Sequence, residues 1–156
     1  MAGKDSKNKA NEVDTSGWEE ENISFPPYFT FQAVGEYIIG SLEKYDARDP
    51  EFPRYVFKAA MDTQCHQGKK GEEKAVVVKP GEFFTISAYG GLNPEVLQEL
   101  VGLPMKLTVT GKRDVGKPSP MLVFQVLMSP ESKRLLAERR LARQKEAIAE
   151  LPEGLR

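Results

Sequence analysis

The chain has 156 residues, 40% of them hydrophobic, with 22 Lys and Arg against 23 Asp and Glu. That length supports one hydrophobic core with tails and not comfortably two, and no apolar run approaches the roughly 20 residues of a membrane span. The first residues lack the apolar stretch of a signal peptide, and a lone cysteine, Cys65, leaves no intrachain disulfide framework and agrees with a reducing compartment, so a cytoplasmic protein is expected.

The near-zero net charge conceals an asymmetry. Residues 1–22 carry Lys4, Lys7 and Lys9 against Asp5, Glu12, Asp14, Glu19, Glu20 and Glu21, whereas the stretch 111–120 carries Lys112, Arg113 and Lys117 against Asp114 alone. Phosphate binding needs local positive potential, not a basic isoelectric point, so the overall charge does not exclude nucleic acid. The predicted organisation is a polar, acidic N-terminal arm (1–22), a β-rich domain with its own N-terminal extension (23–128) and a charged C-terminal helix and tail (129–156). Residues 1–16 are too polar to offset their ordering entropy and are expected to be disordered.

Trp18 and the run Phe25, Tyr28, Phe29 and Phe31, broken by Pro26 and Pro27, predict an extended segment packed on the domain, with base stacking as the other use of such rings. The first strand is expected over 34–42 and the second over 54–61, where Tyr55, Phe57, Ala59 and Met61 alternate with Arg54, Val56, Lys58 and Ala60. A glycine-punctuated basic loop fills 62–73, and Pro80-Gly81 separates a hairpin-like Ala75–Val78 from the third strand, 82–89. There Phe84, Ile86 and Ala88 alternate with Phe83, Thr85, Ser87 and Tyr89. A short helix over 93–101 follows, with Asn93 as N-cap, Pro94 at its first position, a buried stripe of Val96, Leu97, Leu100 and Val101, and Gly102 just past its end. The fourth strand, 105–112, turns Met105, Leu107 and Val109 one way and Lys106, Thr108 and Thr110 the other. The fifth covers 121–128. Ser129 and Pro130 then open a helix without a breaker until Pro152, in which Ala137, Leu141, Gln144, Ile148 and Leu151 form a weak heptad seam amid Lys133, Arg134, Arg139, Arg140, Arg143 and Lys145.

Five short strands with one helix between the third and fourth is the connectivity of the five-stranded OB-fold, a Greek-key barrel whose strand 2–3 face and first and last loops bind oligonucleotides or oligosaccharides. Single-stranded nucleic acid is held by stacking bases on aromatic faces while a basic groove follows the phosphates. The stacking candidates are Tyr37, Phe83 and Tyr89; the phosphate candidates are Arg54, Lys58, Lys106, Lys112, Arg113 and Lys117. Leu141 and Ile148 are the candidates for self-association or a partner. Nothing points to catalysis: Cys65 and His66 are adjacent, so in an extended chain they face opposite ways. A zinc site lacks further Cys or His, and neither a Gly-x-x-x-x-Gly-Lys-Ser/Thr loop nor a Gly-x-Gly-x-x-Gly is present. No cofactor or metal is expected.

With this strand order, the segment Gly102–Lys112 (GLPMKLTVTGK) and the run Pro120–Val126 (PMLVFQV), the chain resembles OB-fold single-stranded DNA-binding proteins, particularly the small ones encoded by bacteriophages. The resemblance covers residues 34–128. It implies a non-catalytic, sequence-tolerant protein that protects single-stranded DNA during replication and recombination in the host cytoplasm, with replication proteins as partners; a homo-oligomer is expected from the seam of the C-terminal helix. Many such proteins end in an acidic recruiting tail; this chain ends in a mixed-charge helix. RNA as the ligand stays open at this point, as does a second function, an OB-fold adaptor of a polymerase or phage assembly.

Overall fold

The computed structural model describes residues 13–19 and 26–155. Most of the expected disordered arm, and Phe25, lie outside the described residues; Trp18 is exposed in a turn closed by its N–H on the carbonyl of Thr15.

The elements in chain order are β1 (Tyr37–Asp46), β2 (Arg54–Ala59), β3 (Thr63–Gln67), β4 (Lys74–Val78), β5 (Phe83–Ser87), α1 (Pro94–Gln98), β6 (Pro104–Arg113), β7 (Met121–Met128) and α2 (Pro130–Ala149), with a final 3-10 turn at Glu153–Leu155. Five strands form one antiparallel sheet in the order β5-β2-β1-β6-β7, and β3-β4 form a second, two-stranded sheet. Alternation gives one buried face: Ile38 and Leu42 of β1, Tyr55 and Phe57 of β2, Phe84 and Ile86 of β5, and Leu107 and Val109 of β6 are almost fully enclosed. Phe57 and Phe84 oppose each other across β2 and β5 and stack with centroids 5.9 Å apart. The inward sets expected for the second, third and fourth strands are thus the core, apart from the half-buried Met61 and Ala88 at their ends.

Several boundaries differ from expectation, the largest differences for local reasons. The first strand starts at Tyr37, not at residue 34, because Gly35 (φ 96°) turns the chain and the Glu36 carboxylate accepts the N–H groups of Gln32 and Ala33. It continues to Asp46 through a bulge between Leu42 and Lys44, which adds curvature. The stretch 62–73 is not simply a loop: Thr63–Gln67 pairs with Lys74–Val78, and the turn between them uses Gly68 and Gly71 at positive φ. β5 ends at Ser87, before Tyr89.

The segment 27–29 joins the two sheets. Thr85 N–H donates to Pro27 O and Phe29 N–H to Thr85 O, both at 2.9 Å, while Tyr28 exchanges two backbone bonds with His66 of β3. The far side of β5 is therefore paired with this strap, and among the described residues β5 and β7 share no ladder. Phe31, Tyr89 and Phe124 fill the space between them, with centroids 5.1–5.9 Å apart. Close approach of the chain to β7 there requires glycine: a Cβ on Gly91 would collide with the Leu122 carbonyl oxygen.

α1 is shorter than expected. Asn93 caps it by accepting the Glu95 N–H at 3.0 Å; Leu97 and Leu100 are buried, but Val96 is exposed and Val101 only partly covered. Gly102, at φ 81°, donates its N–H to Leu42 O of β1. α2 is capped by Ser129, whose hydroxyl accepts the Ser132 N–H, and its first half docks through Ser132 and Leu136. Arg139 donates to the Val101 carbonyl at 2.6 Å, and Arg140 and Arg143 reach the Glu99 carboxylate at 3.1 and 3.5 Å, lowering its pKa. Among the described residues, no helix is long and apolar enough to cross a membrane.

Candidate nucleic-acid interface

The face of the five-stranded sheet opposite the core is set by the same alternation. β1 turns Tyr37, Ile39 and Ser41 outward, β2 turns Arg54, Val56 and Lys58, β5 turns Phe83, and β6 turns Lys106 and Thr108. In register, Phe83, Lys58 and Ser41 lie side by side across β5, β2 and β1, and Ile39, Lys106 and Leu127 across β1, β6 and β7.

Two of the expected aromatic residues are open on this face. Phe83 is 51% exposed and sits directly across from Lys58. Tyr37 is 42% exposed, and the Lys106 ammonium lies 4.3 Å from its ring centroid, a cation–π contact. A third ring was not legible in the sequence: Phe52, in the β1–β2 turn, is 69% exposed, and Arg54 follows two residues later. The signal for it was its setting between Pro50 and Pro53, where a phenyl ring cannot enter a strand core.

Arg54 is half-buried and lines two adjoining concavities. One, of about 330 Å³, is bounded by Phe52 and Tyr28; the other, of about 560 Å³, is bounded by Phe83, Lys44 and Arg48. Arg48 is bound to Asp46 at 2.7 Å, which holds that carboxyl well below the usual carboxylate range. Among the described residues, Lys44, Arg54, Lys58 and Lys106 make no ion pair, and neither do Lys112 and Arg113 at the end of β6 or Lys117 in the β6–β7 turn, all three exposed. Unpaired cations on an open sheet face keep their full potential for an anion.

Tyr89 is placed otherwise than the alternation predicts. Because β5 has ended, its ring packs edge-on against Phe31 and tilted against Phe124, and its hydroxyl accepts the Phe31 N–H at 3.1 Å. Burial pushes its phenol pKa up. Tyr89→Ala is accordingly expected to lower folding stability by about 2 kcal/mol or more through the cavity it leaves, measured by urea denaturation; unchanged stability would contradict this packing role. Leu141 and Ile148 are both exposed on the side of α2 turned away from the body. The basic run around them is largely engaged, since Arg134 pairs with Glu138, Arg139 binds the Val101 carbonyl, and Arg140 and Arg143 bind Glu99, both just past α1.

Cys65 and His66 face opposite ways. The thiol is 1% exposed and burial pushes its pKa up to about 11, while the imidazole lies outside against Tyr28. A thiol so held is protonated at neutral pH and is no nucleophile. Among the described residues, no group of three or more His, Cys, Asp or Glu side chains is arranged to hold a metal ion.

No protein-family model, curated protein or solved structure matches the chain.

Proposed function

We propose that this chain is a non-catalytic, sequence-tolerant single-stranded DNA-binding protein of the OB type, acting in DNA replication and recombination. The observation that carries the reading is the outer sheet face, where Tyr37 and Phe83 are each exposed beside a cation without an ion pair, Lys106 and Lys58, while Phe52 in the β1–β2 turn is exposed and shares a concavity with Arg54. An aromatic ring takes the face of any base, and the neighbouring cation takes the phosphate, so affinity arises without reading sequence. The architecture supports the same reading. Numbering only the strands of the large sheet, its order is 3-2-1-4-5 with α1 between the third and fourth, the arrangement of an OB barrel short of its last pairing. The bulges at Leu42/Lys44 and Val109/Gly111 curve the two longest strands, and the strap and the Phe31, Tyr89, Phe124 cluster occupy the gap. Binding through bases, sugars and phosphates makes RNA a competing ligand, and the 2′-hydroxyl is the group that would separate the two.

A second reading, an adaptor that docks a polymerase or an assembly protein, is favoured by α2, whose distal half projects Leu141 and Ile148 without a described partner. Self-association along this seam belongs to the same surface. Fluorescence anisotropy with labelled oligo(dT) separates the readings: saturable binding supports the first, and a folded protein that ignores the oligonucleotide leaves the adaptor.

A further inference from the structure

β4 is an edge strand, and the backbone shows which of its groups are open. Tyr28 and His66 exchange both backbone bonds, at 2.8 and 2.9 Å, so the N–H and C=O of His66 point away from β4. Those of Cys65 and Gln67 therefore point toward it, and the register Cys65 with Val76 and Gln67 with Lys74 makes Lys74, Val76 and Val78 the hydrogen-bonded members of the ladder. Ala75 and Val77 turn their N–H and C=O groups to the free edge, where no described residue meets them. Edge strands are ordinarily blunted by charge, proline or a bulge. β4 carries one, Lys74 at its start; the remaining residues 75–78 (AVVV) carry none of these, and Val77 is 42% exposed.

We propose that this edge is a self-association surface, on which two copies of the chain pair β4 to β4, antiparallel, about a two-fold axis through Val76. The axis position follows from the groups on the edge. Centred at Val76, Ala75 of each copy faces Val77 of the other and exchanges both backbone bonds with it, while the two Val76 side chains meet at the closer, non-hydrogen-bonded position. The same register sets Glu73 of each copy opposite Lys79 of the other, each flanking β4 and exposed; within one chain Lys79 pairs with Asp62 at 3.2 Å and Glu73 accepts the Gly71 N–H at 2.9 Å, exposed contacts that pairing exchanges for opposite charges facing across the ladder. Moving the axis to Val77 would set Lys79 against Ala75 and Glu73 against Gly81, losing both charge pairs. The interface is isologous and closed, as a two-fold requires. It is small, so the dimer is concentration-dependent. It joins two two-stranded sheets into one of four strands.

Sedimentation velocity of the full chain over a wide concentration range tests this. The expected result is a mass that rises from one chain toward two. Val77→Pro deletes an N–H that points to the open edge and none that bonds β3, a substitution an edge strand tolerates; it is expected to keep the far-UV spectrum and abolish the dimer. Glu73→Lys and Lys79→Glu are each expected to weaken dimerisation severalfold, and the two together to restore it, a pattern that keeps the test intact if the proline variant misfolds. A wild-type chain that is monomeric throughout overturns the proposal, as does a charge pair whose double exchange restores nothing. A dimer kept by Val77→Pro but lost by Leu141→Asp with Ile148→Asp belongs to α2 and also overturns it.

Discussion

Phe84→Ala is expected to cost about 3–5 kcal/mol of folding stability, while Phe83→Ala, one residue away, costs little stability and instead weakens oligo(dT) binding by roughly 1–3 kcal/mol, about 5- to 150-fold. The two rings share a strand and a chemistry and differ only in the face they occupy. Phe84 is fully enclosed and stacked on Phe57, so truncation opens a cavity that a sheet held by β2 cannot collapse. Phe83 stands half in solvent beside Lys58, where its loss empties nothing. Urea denaturation and anisotropy on both variants read the two effects separately. The reverse pattern would mean that the strand's facing is wrong; wild-type affinity in Phe83→Ala would remove β5 from the recognition surface.

Lys58→Glu with Lys106→Glu is the second large effect. Each cation stands beside an exposed ring and is free of an ion pair, so reversal removes two phosphate contacts and sets two repulsive charges on the strand's path. A loss of about a hundredfold or more in oligo(dT) affinity at low salt is expected, together with a salt slope shallower by about 0.7 for each lost contact. Lys145→Glu, in the exposed distal half of α2, is expected to leave affinity within about twofold, since an isolated distant charge is screened. Equal losses in the two variants would point to non-specific attraction and not to this face.

Where one face of a strand is buried, its alternation was legible. The inward residues Tyr55, Phe57, Phe84, Ile86, Leu107 and Val109 follow directly from a period of two, and the caps at Asn93 and Ser129 follow from side-chain chemistry that satisfies orphan N–H groups. β3 was not legible, because Thr63–Gln67 contains few residues of high strand propensity and buries only Thr63 and Cys65; its pairing with β4 and the Tyr28 strap is a tertiary matter. Tyr89 was misplaced for a similar reason: extending the alternation past Ser87 assumes that the strand continues, and the aromatic cluster that ends it is assembled from residues far apart in sequence. Of the candidate site residues, Tyr37, Arg54, Lys58, Phe83 and Lys106 fall on one sheet face. Lys112, Arg113 and Lys117 lie at its β6–β7 end, and Phe52 is added by a turn whose reach no periodicity describes.

The most direct test is the affinity of the full chain for labelled oligo(dT), followed by anisotropy as the salt concentration is raised. Contacts from Arg54, Lys58, Lys106 and one cation of the β6–β7 turn predict saturable binding whose log affinity falls linearly with log salt at a slope of about −3. A folded protein that shows no saturable binding, or an affinity indifferent to salt, would contradict the assignment of this face to single-stranded nucleic acid.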